Sequence, residues 1–283
     1  MTVTPLPRLL PATPISPVSY DQTIWTHLKA FEGAVGRIYT DSQGIPTMGA
    51  GAALAVIGRD RAWVLRPAAE IGVEISGDPQ APYRFSAEEW QRLTLCLHAL
   101  RQPDPQRAQA LIPPFAPRHE TPAHNRFGFT LSEARIRAVA LAKWAAARRA
   151  VLGDLTAEAG RRGWGESAKA MIQAYAFSHQ EAGLASVRYN IGTGRAMPKA
   201  SAALLDGDRA ALWYEIACNT NPPGNGAGRG GIARRRLAEA QLACGSPDRW
   251  NPAEQAGLEA LFSRNADKMA AYRRAVPEIF PLT

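Results

Sequence analysis

FEGAVGRIYTDSQGIPTMGAGA, residues 31–52, is the stretch on which the fold turns. Upstream of it, Ile24, Leu28 and Phe31 recur at helical spacing behind Asp21, which reads as an N-cap. The sequence therefore predicts a helix over residues 22–32. Gly33 and Gly36 break that helix. Arg37, Ile38, Tyr39 and Thr40 follow as a short β-prone run. Asp41-Ser42-Gln43-Gly44 then places Asp first and Gly fourth in a β-turn. Residues 45–48 return as a second strand, which Pro46 is expected to confine to a sheet edge. A helix end followed by a tight hairpin aims Glu32 and Asp41 into one cleft from two rigid supports.

Two carboxylates on opposite walls of a cleft are the equipment of a glycosidase. One holds a proton for the leaving oxygen, and the other handles water or the developing cation. Glu32 lies among Phe31, Gly33, Ala34 and Val35, an apolar neighbourhood suited to a carboxyl that must carry a proton. Asp41 lies in a polar turn, with Thr40, Ser42 and backbone donors nearby, and is expected to stay an anion. Thr47 offers a hydroxyl beside Asp41 to orient water.

The Glu32, Asp41, Thr47 spacing within FEG…IYTDSQG…PTMGAG resembles the active-site segment of the phage-type lysozymes, glycoside hydrolase family 24. That family's pattern is a helix ending in E-G, a Y-x-D-x-x-G hairpin and T-x-G-x-G-H. Glu32, Asp41 and Thr47 fall on its catalytic positions, and Gly49 and Gly51 on its glycines. The His that usually follows the second glycine is Ala52 here, which puts local stability in question more than chemistry. A second block, residues 185–239, resembles the family's C-terminal lobe. Its matching pieces are Tyr189-Asn190-Ile191-Gly192, residues 202–211 and residues 231–239. The two blocks cover a little over a quarter of the chain, in the family's order.

The resemblance implies an α+β, predominantly α fold with two lobes, one a small β-hairpin lobe and the other helical. It implies hydrolysis of the β-1,4 bond between N-acetylmuramic acid and N-acetylglucosamine in bacterial peptidoglycan, by an inverting route. Glu32 would be the general acid, with Asp41 and Thr47 holding the water. Tyr39, Asn190 and Arg235 are the substrate-binding candidates. No cofactor is implied. The alternatives are a lytic transglycosylase, which releases anhydro sugars without water, and a non-catalytic wall-binding module. Asp41 and Thr47 argue against the first because they supply water.

On this reading, residues 1–20 form a proline-rich arm, and 21–58 the catalytic helix and hairpin. Residues 59–130 are an insertion, 131–245 the helical lobe, and 246–283 a C-terminal extension. Within the insertion, Ser86 and Glu89 predict a capping box and a helix to about residue 100 with Trp90, Leu93 and Leu97 as its stripe. Residues 101–129 carry six prolines and read as irregular. A long helix is predicted from Ser132 to about residue 152, with Ile136, Val139, Trp144 and Val151 on its buried side. One or two helices fill residues 167–189, and further helices fill 197–205, 208–218 and 232–244. Arg234, Arg235 and Arg236 read as a solvated helix face. Asn251-Pro252-Ala253-Glu254 opens a helix running to about residue 273.

The 283 residues, 46% hydrophobic and 20% charged, suit a soluble globular chain rather than a disordered one. A net charge of +8 favours polyanions, among them nucleic acid, anionic lipid and the bacterial wall. The glycosidase block selects the wall, and no nucleic-acid motif interleaves aromatics with the basic residues. Cys96, Cys218 and Cys244 read as buried free thiols, with a Cys218–Cys244 bridge as the open alternative. The five histidines show no ligand spacing, so no metal is expected. The first 20 residues hold five prolines and no apolar core, and no apolar run is long enough for stable membrane insertion. The expectation is synthesis in the cytoplasm without a signal peptide. Action on the wall, in the periplasm or outside, would follow release or delivery. A phage endolysin and a delivered antibacterial effector both fit, the latter with an immunity protein or a delivery-apparatus component as partner.

Overall fold

The structure is a computed structural model, and it describes residues 10–58, 60, 62–66, 86–101, 105–114, 127, 130–192, 194–220, 229–275 and 277. It is mixed α/β and mostly helical, with small antiparallel sheets. The chain divides into two compact units, one formed by Met1–Ile24 and Lys143–Thr283, the other by Trp25–Ala142. The divisions fall within two helices, α1 (Pro17–Glu32) and α4 (Glu133–Arg161).

The helix preceding the hairpin begins earlier than its periodicity suggests. Pro17, whose ring presets a helical φ, opens α1, and Tyr20 N–H donates to Ser16 O at 2.8 Å. Asp21 therefore lies inside the helix and is not its cap. Gly33, at φ 71°, ends the helix, as expected of a left-handed C-terminal position.

In the unit formed by Trp25–Ala142, β1 (Val35–Thr40), β2 (Pro46–Gly49) and β3 (Ala52–Ala53) make an antiparallel sheet in that order. Strand β2 is thus central, not an edge. Pro46 is tolerated there because it opens the strand, where a missing N–H costs least. A second hairpin, unforeseen from sequence, pairs β4 (Ala55–Ile57) with β5 (Trp63–Leu65).

The expected insertion packs against the first hairpin. Its helix α2 (Ala87–Ala99) carries the capping box: Ser86 Oγ accepts from Glu89 N at 3.2 Å, and Glu89 Oε2 from Ser86 N at 2.7 Å. Leu93, Cys96 and Leu97 are buried along one face, whereas Trp90 is 39% exposed. Within the proline-rich stretch a short helix, α3 (Pro105–Leu111), forms with Pro105 in its first turn. Residues 102–104, 115–126, 128 and 129 of that stretch lie outside the described residues. The segment after α3 covers the outer edge of β1. Thr40 N–H donates to Pro113 O at 3.2 Å, Thr40 Oγ1 to Ile112 O at 3.2 Å, and Thr40 bridges Pro114 in parallel. An edge that would otherwise expose unpaired backbone groups is closed from within the chain.

In the other unit, α4 continues to Arg161, past the expected end near 152. Gly153 does not stop it, because Leu155 and Ala159 prolong the stripe of Trp144, Ala147 and Val151. Helices α5 (Ser167–Ala174), α6 (His179–Ile191), α7 (Pro198–Leu205) and α8 (Arg209–Tyr214) follow. After them come a π-helical turn over Glu215–Asn219, α9 (Arg229–Cys244), α10 (Pro252–Arg264) and α11 (Ala266–Ala275). The single C-terminal helix predicted from sequence is two. The break is at Asn265, whose backbone leaves the helical region at φ −119°, ψ 36°, while its N–H still reaches Leu261 O at 3.2 Å and its side-chain Nδ2 donates to the same oxygen at 2.8 Å.

The N-terminal arm, where described, is strapped to the α5–α6 junction. Ile15 N–H donates to Phe177 O at 2.8 Å, His179 N–H to Thr13 O at 2.9 Å, and Tyr175 hydroxyl to Leu10 O at 2.6 Å. All three cysteines are free and buried. Among the described residues, no helix is long and apolar enough to cross a membrane.

Candidate functional site

Glu32, Tyr39, Asp41 and Thr47 all lie in the unit formed by Trp25–Ala142, and the hairpin gathers them. Tyr39 on β1 and Thr47 on β2 are direct partners in the antiparallel ladder, so their side chains share a face. Asp41 follows directly on the end of β1 and opens the turn that leads to β2.

Glu32 is the last residue of α1 and is half-buried. Its carboxyl rests on the backbone of Gly51: a Cβ at position 51 would stand 2.5 Å from Glu32 Oε2 and 2.9 Å from its carboxyl carbon. Gly51 also has φ +69°, a conformation that side-chain-bearing residues rarely adopt. Glycine is therefore required there twice, once by the chain's path and once by the acid that fills the missing side chain's place.

Tyr39 links the two acids. It is 6% exposed, and its hydroxyl meets the Gly51 backbone. Burial pushes its ionisation upward, the negative charge of Glu32 adds to this, a hydrogen bond from Gly51 opposes it, and the charge of Asp41 adds again. One phenol thus lies within electrostatic reach of both carboxyls. Tyr39, the substrate-binding candidate of this unit, is a buried side chain.

Asp41 is held by its own turn. Oδ1 accepts from Gln43 N at 2.8 Å and from Ile45 N at 2.9 Å, while Asp41 N–H donates to Ile45 O at 3.0 Å. Its environment differs from the polar, anion-favouring one expected. Burial raises its pKa above 3.8, and the backbone N–H groups of Ile45, Gln43 and Gly44 offset only part of that. The difference arises because α2 and α3 cover the turn. A Cβ on Gly44 would lie 3.0 Å from both the Ala108 Cβ and Leu100 Cδ2. Thr47 is 3% exposed, and its Oγ1 donates to Ile45 O at 3.0 Å. With its one hydrogen committed, Thr47 faces other groups as an acceptor.

Sequence reasoning read Cys96 as a buried free thiol, which it is, but did not bring it to the Asp41 turn. Its thiol donates to Gly44 O at 3.4 Å and is pushed up to about 12, by burial first and by the charge of Asp41 second. Its position on the Leu93–Leu97 face was legible, but its meeting with the Asp41 turn depends on a contact 52 residues distant in sequence.

Asn190 and Arg235 belong to the other unit. Arg235 and Arg236 are buried rather than solvated, because Glu239 follows on the same face of α9. Glu239 accepts from Arg235 Nε at 2.9 Å, from Ser186 Oγ at 2.6 Å and from Arg236. Arg236 also donates to Asn190 Oδ1. These bonds tie α6 to α9 where Gly183 permits close approach: a Cβ there would lie 2.6 Å from Ala243 Cβ. Residues 221–228 of the glycine-rich loop lie outside the described residues. Among the described residues, no group of three or more His, Cys, Asp or Glu could hold a metal ion.

No protein-family model, no curated protein and no solved structure matches the chain. The chemistry of the site therefore rests on the residues themselves.

Proposed function

We propose that the chain is a glycoside hydrolase of the muramidase type, cutting the β-1,4 bond between N-acetylmuramic acid and N-acetylglucosamine in peptidoglycan with inversion. The observation that carries this reading is the single phenol of Tyr39, which feels both Glu32 and Asp41 while Thr47 stands opposite it in the ladder. The two carboxyls come from separate supports, one a helix end and the other a turn clamped by its own backbone.

In this scheme Glu32 donates its proton to the bridging oxygen as the bond from that oxygen to the anomeric carbon breaks. Water attacks the anomeric carbon from the opposite face, and its proton passes to Asp41. Burial suits Asp41 to this role, since a base whose pKa is raised takes a proton more readily than an ordinary surface carboxylate. Thr47, its hydrogen spent on Ile45 O, accepts the water's second hydrogen and fixes its orientation. Tyr39 and Gly51 hold the acid in place. An inverting site needs its carboxyls roughly 6.5–9.5 Å apart, against about 5 Å for a covalent route. The polymer lies outside the cytoplasm, so an enzyme of this kind acts after release or delivery.

The test is digestion of purified peptidoglycan followed by reduction and mass spectrometry. Fragments with reducing N-acetylmuramic ends are expected from the wild-type chain and none from Glu32→Gln. Anhydro ends would assign the site to transglycosylation, and wild-type release by Glu32→Gln would remove Glu32 from the role.

A further inference from the structure

On the reading just given, we propose that the groove between the β4–β5 hairpin and helix α2 is a second saccharide site, which holds a carboxylate-bearing glycan strand on the enzyme away from the reacting bond. The groove has a volume of about 350 Å³, with Trp63, Val64 and Leu65 on one wall and Trp90, Leu97 and Arg101 among the residues opposite. Its size falls in the usual range for ligand sites, which are mostly apolar with a few polar groups fixing orientation.

The lining chemistry selects the occupant. A pyranose ring has apolar C–H faces and hydroxylated edges, so it stacks on indole and directs its edge to polar groups. Here two tryptophans come from different elements. On α2, Trp90, Thr94 and His98 recur every four residues, so they form one exposed polar-aromatic stripe above buried Leu97, and Arg101, in the turn just past the helix end, also lines the groove. Thr94 Oγ1 donates to Trp90 O at 2.8 Å, which fixes the hydroxyl with its lone pairs available. Arg101 supplies positive charge, complementary to the lactyl and stem-peptide carboxylates that a wall glycan carries and a neutral polysaccharide lacks. The hairpin opposite is more apolar than a solvated surface requires: Ile57 is 61% exposed, Val64 48% and Val56 38%.

The groove and the reaction site also share a support. Leu97 packs with Ile45 and Ala55 in one small core, against which Trp63, Leu65 and Leu100 are laid. Ile45 is the residue whose N–H and C=O hold Asp41 and Thr47. The groove and the turn that holds the base therefore rest on one small core.

The experiment uses the full chain. Retention on insoluble peptidoglycan is measured by co-sedimentation in a Glu32→Gln background. Binding of a soluble N-acetylglucosamine oligomer is followed by tryptophan fluorescence. Trp90→Ala and Arg101→Glu, both at exposed positions, are each expected to weaken retention about tenfold. Both are expected to leave the melting temperature and the cleavage of a short soluble oligosaccharide unchanged. Arg101→Glu should weaken retention on peptidoglycan more than binding of the uncharged oligomer. Wild-type retention by both variants overturns the proposal. So does a loss of stability or a change in oligomeric state with retention intact, the outcome for a groove that only packs against protein. If the wild-type chain cleaves no wall yet its retention depends on Trp90, the hydrolase reading fails and the groove stands. If cleavage proceeds while retention ignores both residues, the groove fails alone.

Discussion

Asp41 and Glu239 are both drawn out of water by the fold, yet they are held by opposite means. Glu239, fully buried, is clamped by Arg235, Arg236 and Ser186. Glu181 in the same unit is treated likewise: Arg148 takes Oε1 at 2.5 Å, and Tyr20 hydroxyl and Phe177 N–H each take Oε2 at 3.0 Å. Asp41 receives only neutral backbone donors from its own turn. Among the described residues, no Arg or Lys pairs with it. Glu239 and Glu181 spend oxygens on guanidinium groups and serve the architecture, whereas Asp41 is held by the backbone amides of its own turn. That difference separates the acids that tie helices together from the one the proposed mechanism uses.

Replacing the acid tests the working side. Glu32→Gln should lower turnover on peptidoglycan by about 10²–10⁴ with no change in the unfolding midpoint, since general acid help is of that size. Replacing a structural acid should do the reverse. Glu239→Ala strands two buried guanidinium groups and should cost about 3–5 kcal/mol in denaturant unfolding. A cost below about 1 kcal/mol would mean that the clamp is not what holds α6 to α9.

Gly51→Ala sharpens the contrast because it touches Glu32 only through space. The new Cβ would enter the volume of the carboxyl, 2.5 Å from Oε2, at φ +69°. A loss of about 1–3 kcal/mol of stability is expected, together with most of the activity. Gly153→Ala is its counterpart in α4, with nothing within 4 Å of the added carbon. It should stabilise by up to about 1 kcal/mol and leave activity unchanged.

The smallest effect is in pH. Because burial raises the pKa of folded Asp41 above 3.8, its contribution favours the fold fully below that value. The contribution is lost as pH rises through the higher folded value. Asp41→Asn should therefore flatten stability across that window. The acid limb of the wild-type pH–rate profile should also lie above the ordinary aspartate value, since the base must be ionised to act. A limb at or below 3.8 would contradict the burial of Asp41.

Much of the hairpin was legible because its signals are local. The helix-stopping Gly33, the Asp41–Gly44 turn and the Ser86–Glu89 capping box each depend on residues within a few positions. What escaped depends on distant partners. Pro46 looked like an edge residue because β3, only two residues long, leaves almost no pattern. Asp41 looked solvated because Leu100 and Ala108, which cover its turn, are far along the chain from it. Arg235 and Arg236 looked like surface because a basic run gives no sign of the buried face it enters, although Glu239 at the next helical turn was a visible cue. The α10–α11 break at Asn265 was missed because a single asparagine inside a helical pattern is a weak signal against the propensity around it.

The most direct test is the anomeric configuration of the first product, followed by proton NMR during early turnover of a soluble muropeptide oligomer. Two carboxyls working through a water on opposite faces predict the α-anomer first from a β-linked substrate, with the β form growing in only by mutarotation. Initial β-anomer would mean a covalent or substrate-assisted route, and would contradict the roles given to Asp41 and Thr47.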